Sequence, residues 1–329
     1  MLLNMSSIHN WRMKAMYNPI KRYLQGKAHV GRVGYRFAAF IFKTVTTHLD
    51  NKRLKQQKDN HEDLRISKDL AYINDKNRYH LLDVYERKDK TGKEPVILVI
   101  HGGGLMYGDK DLNRYSNMEL CRRGYTVVAI SYPLAPKVTF YDQIHDCFRA
   151  LAWMRLHQEE YKFDMNKLFL WGDSAGGLLS FTLASINNQT DLQKKFNIEL
   201  KEPYTIKALG LISSMKSVER YDNSGIIFRN AITKKQRKLP CYQYLCDMSK
   251  SLHKDSMVPA IITTSDLDMI KPDPNILNDI YTREDVPHIY LDYQSKEHKL
   301  EHVFPILYPH YKESQEVFNK ADELFKSLI

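Results

Sequence analysis

Ser174 sits in the string Gly172-Asp173-Ser174-Ala175-Gly176-Gly177, and residues 101–104 read His-Gly-Gly-Gly. The first string fits G-x-S-x-G, in which a serine occupies a tight strand-to-helix turn and small neighbours let the backbone fold sharply without clash. Such a turn lifts the hydroxyl clear of its sheet, where it can act as a nucleophile. At average glycine and serine usage, a chain of this size shows G-x-S-x-G by chance about one time in ten, and H-G-G-G on the order of once in several hundred. The two strings in this order therefore point to nucleophilic serine chemistry served by exposed backbone donors. Seven of the 14 glycines, at 102, 103, 104, 108, 172, 176 and 177, lie in or beside these two turns.

Both strings have the elements they need. Lys167-Leu168-Phe169-Leu170-Trp171 reads as a buried strand ahead of the serine, and residues 175–185 read as a helix packed by small side chains. Pro95-Val96-Ile97-Leu98-Val99-Ile100 reads as an apolar strand ahead of the glycine run. Strand-like runs fall near 80–86, 95–100, 126–131, 166–171, 206–212, 258–264 and 288–293, with helical patterns between most of them. Strands alternating with helices predict an α/β protein with a doubly wound, mostly parallel sheet. Residues 51–62 are polar and read as linker or the end of the arm, and residues 214–256 interrupt the alternation with a basic, irregular stretch expected to be a cap insertion. The expected division is a basic arm with cap helices over residues 1–75 and a catalytic domain over 76–329.

These motifs resemble those of the α/β-hydrolase superfamily, and within it the hormone-sensitive-lipase-like esterases and lipases, whose signatures are HGGG and GDSAGG. The resemblance runs from about residue 80 to the C-terminus. Gly108-Asp109-Lys110 and Tyr132-Pro133-Leu134-Ala135-Pro136 resemble the family's G-D-K and Y-R-x-A-P strings, and Asp146 stands where a structural aspartate follows. Pro133 replaces the family's arginine, a departure that bears on local packing. The resemblance implies the α/β-hydrolase fold with helical cap segments, and a triad whose acid and histidine follow the serine in that order.

On this basis Asp266 and Asp268 compete in the loop after the strand at 258–264, and Asp268-Met269-Ile270 is the better match to the family's D-x-L. His298, His302 and His310 lie after the last strand; His302-Val303-Phe304 resembles the family's H-x-F, whereas His298, among Glu297, Lys299 and Glu301, reads as a solvated surface residue. The expected triad is Ser174, Asp268 and His302, histidine suiting proton transfer near neutral pH. The family's motif geometry makes the backbone N–H groups of Gly103, Gly104 and Ala175 the oxyanion donors. His101 and Gly102 are expected to hold the glycine loop in shape, and Asp173 to order the serine turn.

The implied reaction is hydrolysis of short to medium acyl esters through an acyl-enzyme. The same residues would serve a carbohydrate or xenobiotic deacetylase, a serine peptidase, or, with catalysis lost, a ligand-binding protein. No metal or organic cofactor is expected, because zinc spacing is absent apart from His298 and His302, which lack further ligands nearby.

At 329 residues, 43% apolar and 27% charged, the chain can hold one large α/β domain with a full core. Cys121, Cys147, Cys241 and Cys246 lack metal spacing and no secretory signal is evident, so reduced thiols and a cytoplasmic location are expected. No apolar stretch approaches the ~20 residues that span a bilayer. Net charge is +10, and residues 1–60 hold 12 Lys and Arg against two Asp, so the whole excess lies in the arm. Trp11, Met13, Met16, Tyr17, Ile20, Tyr23 and Leu24 recur at helical spacing between Arg12, Lys14, Lys21 and Arg22, which describes an amphipathic basic helix. Three readings fit it: a cover over the mouth of the site with its lysines solvated, peripheral attachment of residues 1–60 to an anionic membrane, or, being acid-poor and Arg-rich, a transit peptide. No nucleic-acid motif is present, so no nucleic-acid partner is expected; the resemblance implies a homodimer.

Overall fold

The computed structural model describes residues 32–57, 60–219 and 231–329. Eight strands, β1 (Leu64–Ala71), β2 (Leu81–Arg87), β3 (Glu94–Ile100), β4 (Thr126–Ile130), β5 (Phe163–Asp173), β6 (Ile206–Ile212), β7 (Ala260–Ser265) and β8 (His288–Tyr293), form one sheet. Their order is β1-β2-β4-β3-β5-β6-β7-β8. β4, β3, β5, β6, β7 and β8 run parallel, while β2 and β1 pair antiparallel at one edge. The sheet is the mostly parallel, helix-covered one expected. Its central strands read as unbroken apolar runs because both faces are covered.

The helices are α1 (Arg32–Gln56), α2 (Arg114–Arg122), α3 (Phe140–Leu156), α4 (Ala175–Asn188), α5 (Thr190–Phe196), α6 (Tyr242–Cys246), α7 (Pro272–Arg283), α8 (Phe304–Leu307) and α9 (Lys312–Lys326). Alternate residues of one strand face opposite layers. Val96, Leu98, Leu168 and Leu170 pack with Ile144, Leu151, Leu178 and Leu277, from α3, α4 and α7. Ile97, Val99, Phe169 and Trp171 pack with Met118, Val317, Phe318 and Phe325, from α2 and α9.

Three differences from the sequence reading have physical causes. β1 is an eighth strand inside the span assigned to the arm, so the sheet begins at Leu64. Its residues, Leu-Arg-Ile-Ser-Lys-Asp-Leu-Ala, lack a clean alternation, and its pairing with β2 shifts between Ser67 and Leu70. Of the two readings of residues 51–62, linker fails over 51–56, which are the last turns of α1, held by polar contacts rather than by an apolar stripe. In the stretch 214–256, Met215, Ala231, Cys241, Leu245 and Met248 are buried in the same core layer as α4, with short turns of helix between β6 and β7. The amphipathic pattern at residues 11–24 lies outside the described residues.

Candidate active site

The serine turn is made by the collision of β5 with α4. Ser174 connects them at φ 51°, ψ −115°, a strained conformation for a residue with a Cβ and the kind that persists where surroundings over-determine it. Glycine is required at position 176, because an added Cβ would lie 1.9 Å from the Ile100 carbonyl oxygen. That absence lets α4 start directly against the end of β3.

The expected partners converge on the serine. His302 Nε2 lies 3.0 Å from Ser174 Oγ, and His302 Nδ1 lies 2.7 Å from Asp268 Oδ1. A carboxylate only accepts, so Nδ1 carries the proton and Nε2 presents its lone pair to the serine hydroxyl. Asp268 is buried and also accepts from the Ile270 N–H at 3.0 Å and from Thr264 Oγ1 at 3.0 Å. Burial alone would raise its pKa, but His302, the Ile270 amide and the Ser213 hydroxyl together hold it at about 2. Asp266, the competitor, is exposed and takes no part.

The glycine loop lies across from this chain of hydrogen bonds. Gly103 has φ +98°, and a Cβ there would fall 2.2 Å from the Tyr107 carbonyl oxygen. The Gly102 N–H is committed to Asp173 Oδ1 at 3.0 Å, an oxygen that also accepts from Asn113 Nδ2 at 2.6 Å. Among the described residues no acceptor takes the N–H of Gly103, Gly104 or Ala175. Asp173 thus ties the glycine loop to the serine turn; burial pushes its carboxyl up, opposed by Asn113, His302 and the Gly102 amide. His101 is buried, donates from Nδ1 to the Gly102 carbonyl at 2.8 Å and stacks on Tyr132 at 4.3 Å. Burial holds its pKa down at about 4, so it stays a neutral prop beneath the loop.

The remaining motif residues are structural in their contacts. Lys110 bridges Asp69 and Asp83, each at 2.9 Å, and Asp146 pairs with Arg149 at 2.6 Å. At Pro133, in place of arginine, the backbone carbonyl accepts from the buried Gln143 amide, which also reaches Leu105. His298 is not a solvated surface residue: its Nδ1 lies 2.9 Å from Glu313 and its ring stacks on Tyr311 at 3.9 Å. The charged neighbours face water while the imidazole folds beneath them onto the first turn of α9. His310 is exposed.

Sequence reasoning missed Asn113, Thr264 and Ser213. Thr264 and Ser213 sit at the C-terminal ends of β7 and β6, the edge at which sheets of this kind present functional groups, and that position was the available signal.

The family described as BD-FAE matches residues 82–238. The solved structure of esterase B from Lactobacillus rhamnosis, inhibited by a tributyrin phosphonate, superposes with a TM-score of 0.82, covering 91% of this chain and 96% of that one at 21% identity. The chain has the α/β-hydrolase fold. Esterase LipW from Mycobacterium marinum shares this α/β-hydrolase fold at a TM-score of 0.67 and 16% identity, covering 88% of this chain and 90% of that one. In sequence, the probable carboxylic ester hydrolase LipM of Mycobacterium tuberculosis is 37% identical over 141 residues, 40% of this chain and 33% of LipM. Esterase LipC of the same organism is 34% identical over 102 residues, 30% of this chain and 25% of LipC. The matches span a third or less of the length of these two relatives. No helix among the described residues is long and apolar enough to cross a membrane.

Proposed function

We propose that this α/β-hydrolase is a carboxylic ester hydrolase that works through Ser174, His302 and Asp268. The observation that carries this reading is the continuous hydrogen-bonded chain from Asp268 Oδ1 through His302 to Ser174 Oγ, opposite three uncommitted backbone N–H groups. The names of LipM, LipC and esterase B support the same chemistry.

In this mechanism Ser174 Oγ attacks the ester carbonyl as His302 Nε2 takes the hydroxyl proton, and Asp268 stabilises the imidazolium that forms. The carbonyl oxygen, now negative, is met by the N–H groups of Gly103, Gly104 and Ala175, which need no reorganisation to receive it. As the tetrahedral intermediate collapses, His302 returns the proton to the leaving alcohol and the acyl group stays on Ser174. Water, deprotonated by His302, then attacks the acyl-enzyme, and the acid leaves with Ser174 restored. Short to medium acyl esters are the proposed substrates.

The test is turnover of p-nitrophenyl acetate, butyrate, octanoate and laurate by the wild type and by Ser174→Ala, His302→Ala, Asp268→Asn and Asp266→Asn. Loss of about a thousandfold or more is expected in the first three variants, and near wild-type turnover in the fourth. A folded wild type that hydrolyses none of these esters would overturn the reading. Equal damage from the two aspartate variants would overturn the choice of acid.

A further inference from the structure

Three loops that carry the site meet at one residue outside the triad. Ser213 follows β6 and is fully buried, with φ +46°, a conformation that residues bearing a Cβ rarely adopt. Its hydroxyl accepts the Val303 N–H at 3.1 Å and is among the groups that lower the pKa of the Asp268 carboxyl. Val303, next to His302, is itself held at φ +55°, where a β-branched residue needs an outside constraint. The flanking backbone reaches the nucleophile on both sides. The Ile212 carbonyl accepts the Ser174 N–H at 2.8 Å, and the Met215 N–H donates to the Ser174 carbonyl at 3.0 Å. Ser213's own N–H donates to the Thr263 carbonyl at 2.8 Å, fixing this segment to the strand that leads into Asp268.

Glycine would meet the backbone requirement at position 213 with less strain, so what serine adds is its hydroxyl. One hydroxyl can donate once and accept at the same time, and here the lone pair takes the amide beside the base, which leaves the proton for the acid. Asp268 would keep Thr264, Ile270 and His302 without it, so the carboxylate is not left orphaned. What would be lost is the link between the acid and the histidine loop.

We propose that Ser213 is a positioning residue of this site, its hydroxyl coupling the orientation of Asp268 to that of the loop bearing His302. The proposal rests on the ester-hydrolase reading for its kinetic consequence, and on geometry alone for its structural one.

Ser213→Gly in the full chain tests both, because it removes the hydroxyl and relieves the backbone. Its melting temperature is expected to equal or exceed that of the wild type. On p-nitrophenyl butyrate its kcat is expected to fall about tenfold or more, with KM within about twofold, as displaced catalytic groups do. The low-field proton resonance of His302 Nδ1 is expected to shift or broaden. Ser213→Ala, which keeps the strain and loses the hydroxyl, should show the same kinetic loss with a lower melting temperature. Wild-type kcat and an unmoved resonance in Ser213→Gly would overturn the proposal. Should the wild type hydrolyse no ester while the resonance still moves in Ser213→Gly, the function would fall and the coupling would stand.

Discussion

His101 shows how one buried side chain can make this fold sensitive to pH. Its pKa is held at about 4 by burial, against 6.5 in the open. Below pH 6.5 the unfolded chain takes up a proton that the folded one refuses, so stability falls as pH drops from 6.5 to 4 and is flat, for this group, below that. The loss amounts to about 3 kcal/mol. Urea unfolding at a series of pH values should show it in the wild type and not in His101→Gln; an unchanged slope in the variant would contradict the assignment. Asp268 acts in a lower window, since its pKa is depressed from 3.8 to about 2. Its contribution is present above pH 3.8 and disappears as pH falls through 2. Gly103→Ala would bring a Cβ to 2.2 Å from the Tyr107 carbonyl oxygen at φ +98°, so the loop must move. Activity is expected to fall at least about a hundredfold, the scale of losing an oxyanion donor, and near wild-type kcat would argue against Gly103 as a donor.

At the scale of elements, α1 reaches both loops that flank the serine. Asp50 accepts from Tyr107 Oη at 2.8 Å, Arg53 donates to the Leu112 carbonyl at 3.0 Å and the Ile306 carbonyl at 3.4 Å, and Gln57 Nε2 donates to the Leu307 carbonyl at 2.6 Å. These contacts dock residues 50–57 beside the site, whereas the amphipathic pattern at 11–24 lies outside the described residues. Arg53→Ala is therefore expected to lower stability by about 2 kcal/mol, as lost hydrogen bonds from a charged donor do, and to lower kcat as well. If residues 1–60 also attach to an anionic membrane, deleting them is expected to abolish co-sedimentation with anionic vesicles, and no binding by the intact protein would end that reading. None of this docking was legible in residues 51–62, because polar contacts leave no hydrophobic period to read. The strands and α4 were legible for the opposite reason. Runs such as Val96-Ile97-Leu98-Val99-Ile100 bury both faces and announce themselves, whereas β1 mixes Arg65, Lys68 and Asp69 into an edge strand.

Across the whole molecule, the sheet separates two core layers and delivers the ends of β3, β5, β6 and β7 to one side. The layer under α9 is aromatic: Phe325 stacks on Phe169 at 4.2 Å and meets Tyr125 and Trp171 edge-on. Phe325→Ala is expected to destabilise the fold by about 3–5 kcal/mol, readable as a lowered denaturant midpoint, while leaving active-site titration of the folded fraction intact. The candidate triad could be proposed from the sequence because each member has a motif around it. The groups that hold it, Ser213, Thr264 and Asn113, could not, since one hydroxyl or amide at a strand or helix end has no pattern beyond its position. In the proposed mechanism everything turns on Ser174 being an activated nucleophile. The most direct measurement is labelling of the full chain with a fluorophosphonate, followed by peptide mass spectrometry. One adduct per chain is expected, on Ser174, absent from Ser174→Ala and strongly slowed in His302→Ala. A folded protein that stays unlabelled, or an adduct on another residue, would contradict it.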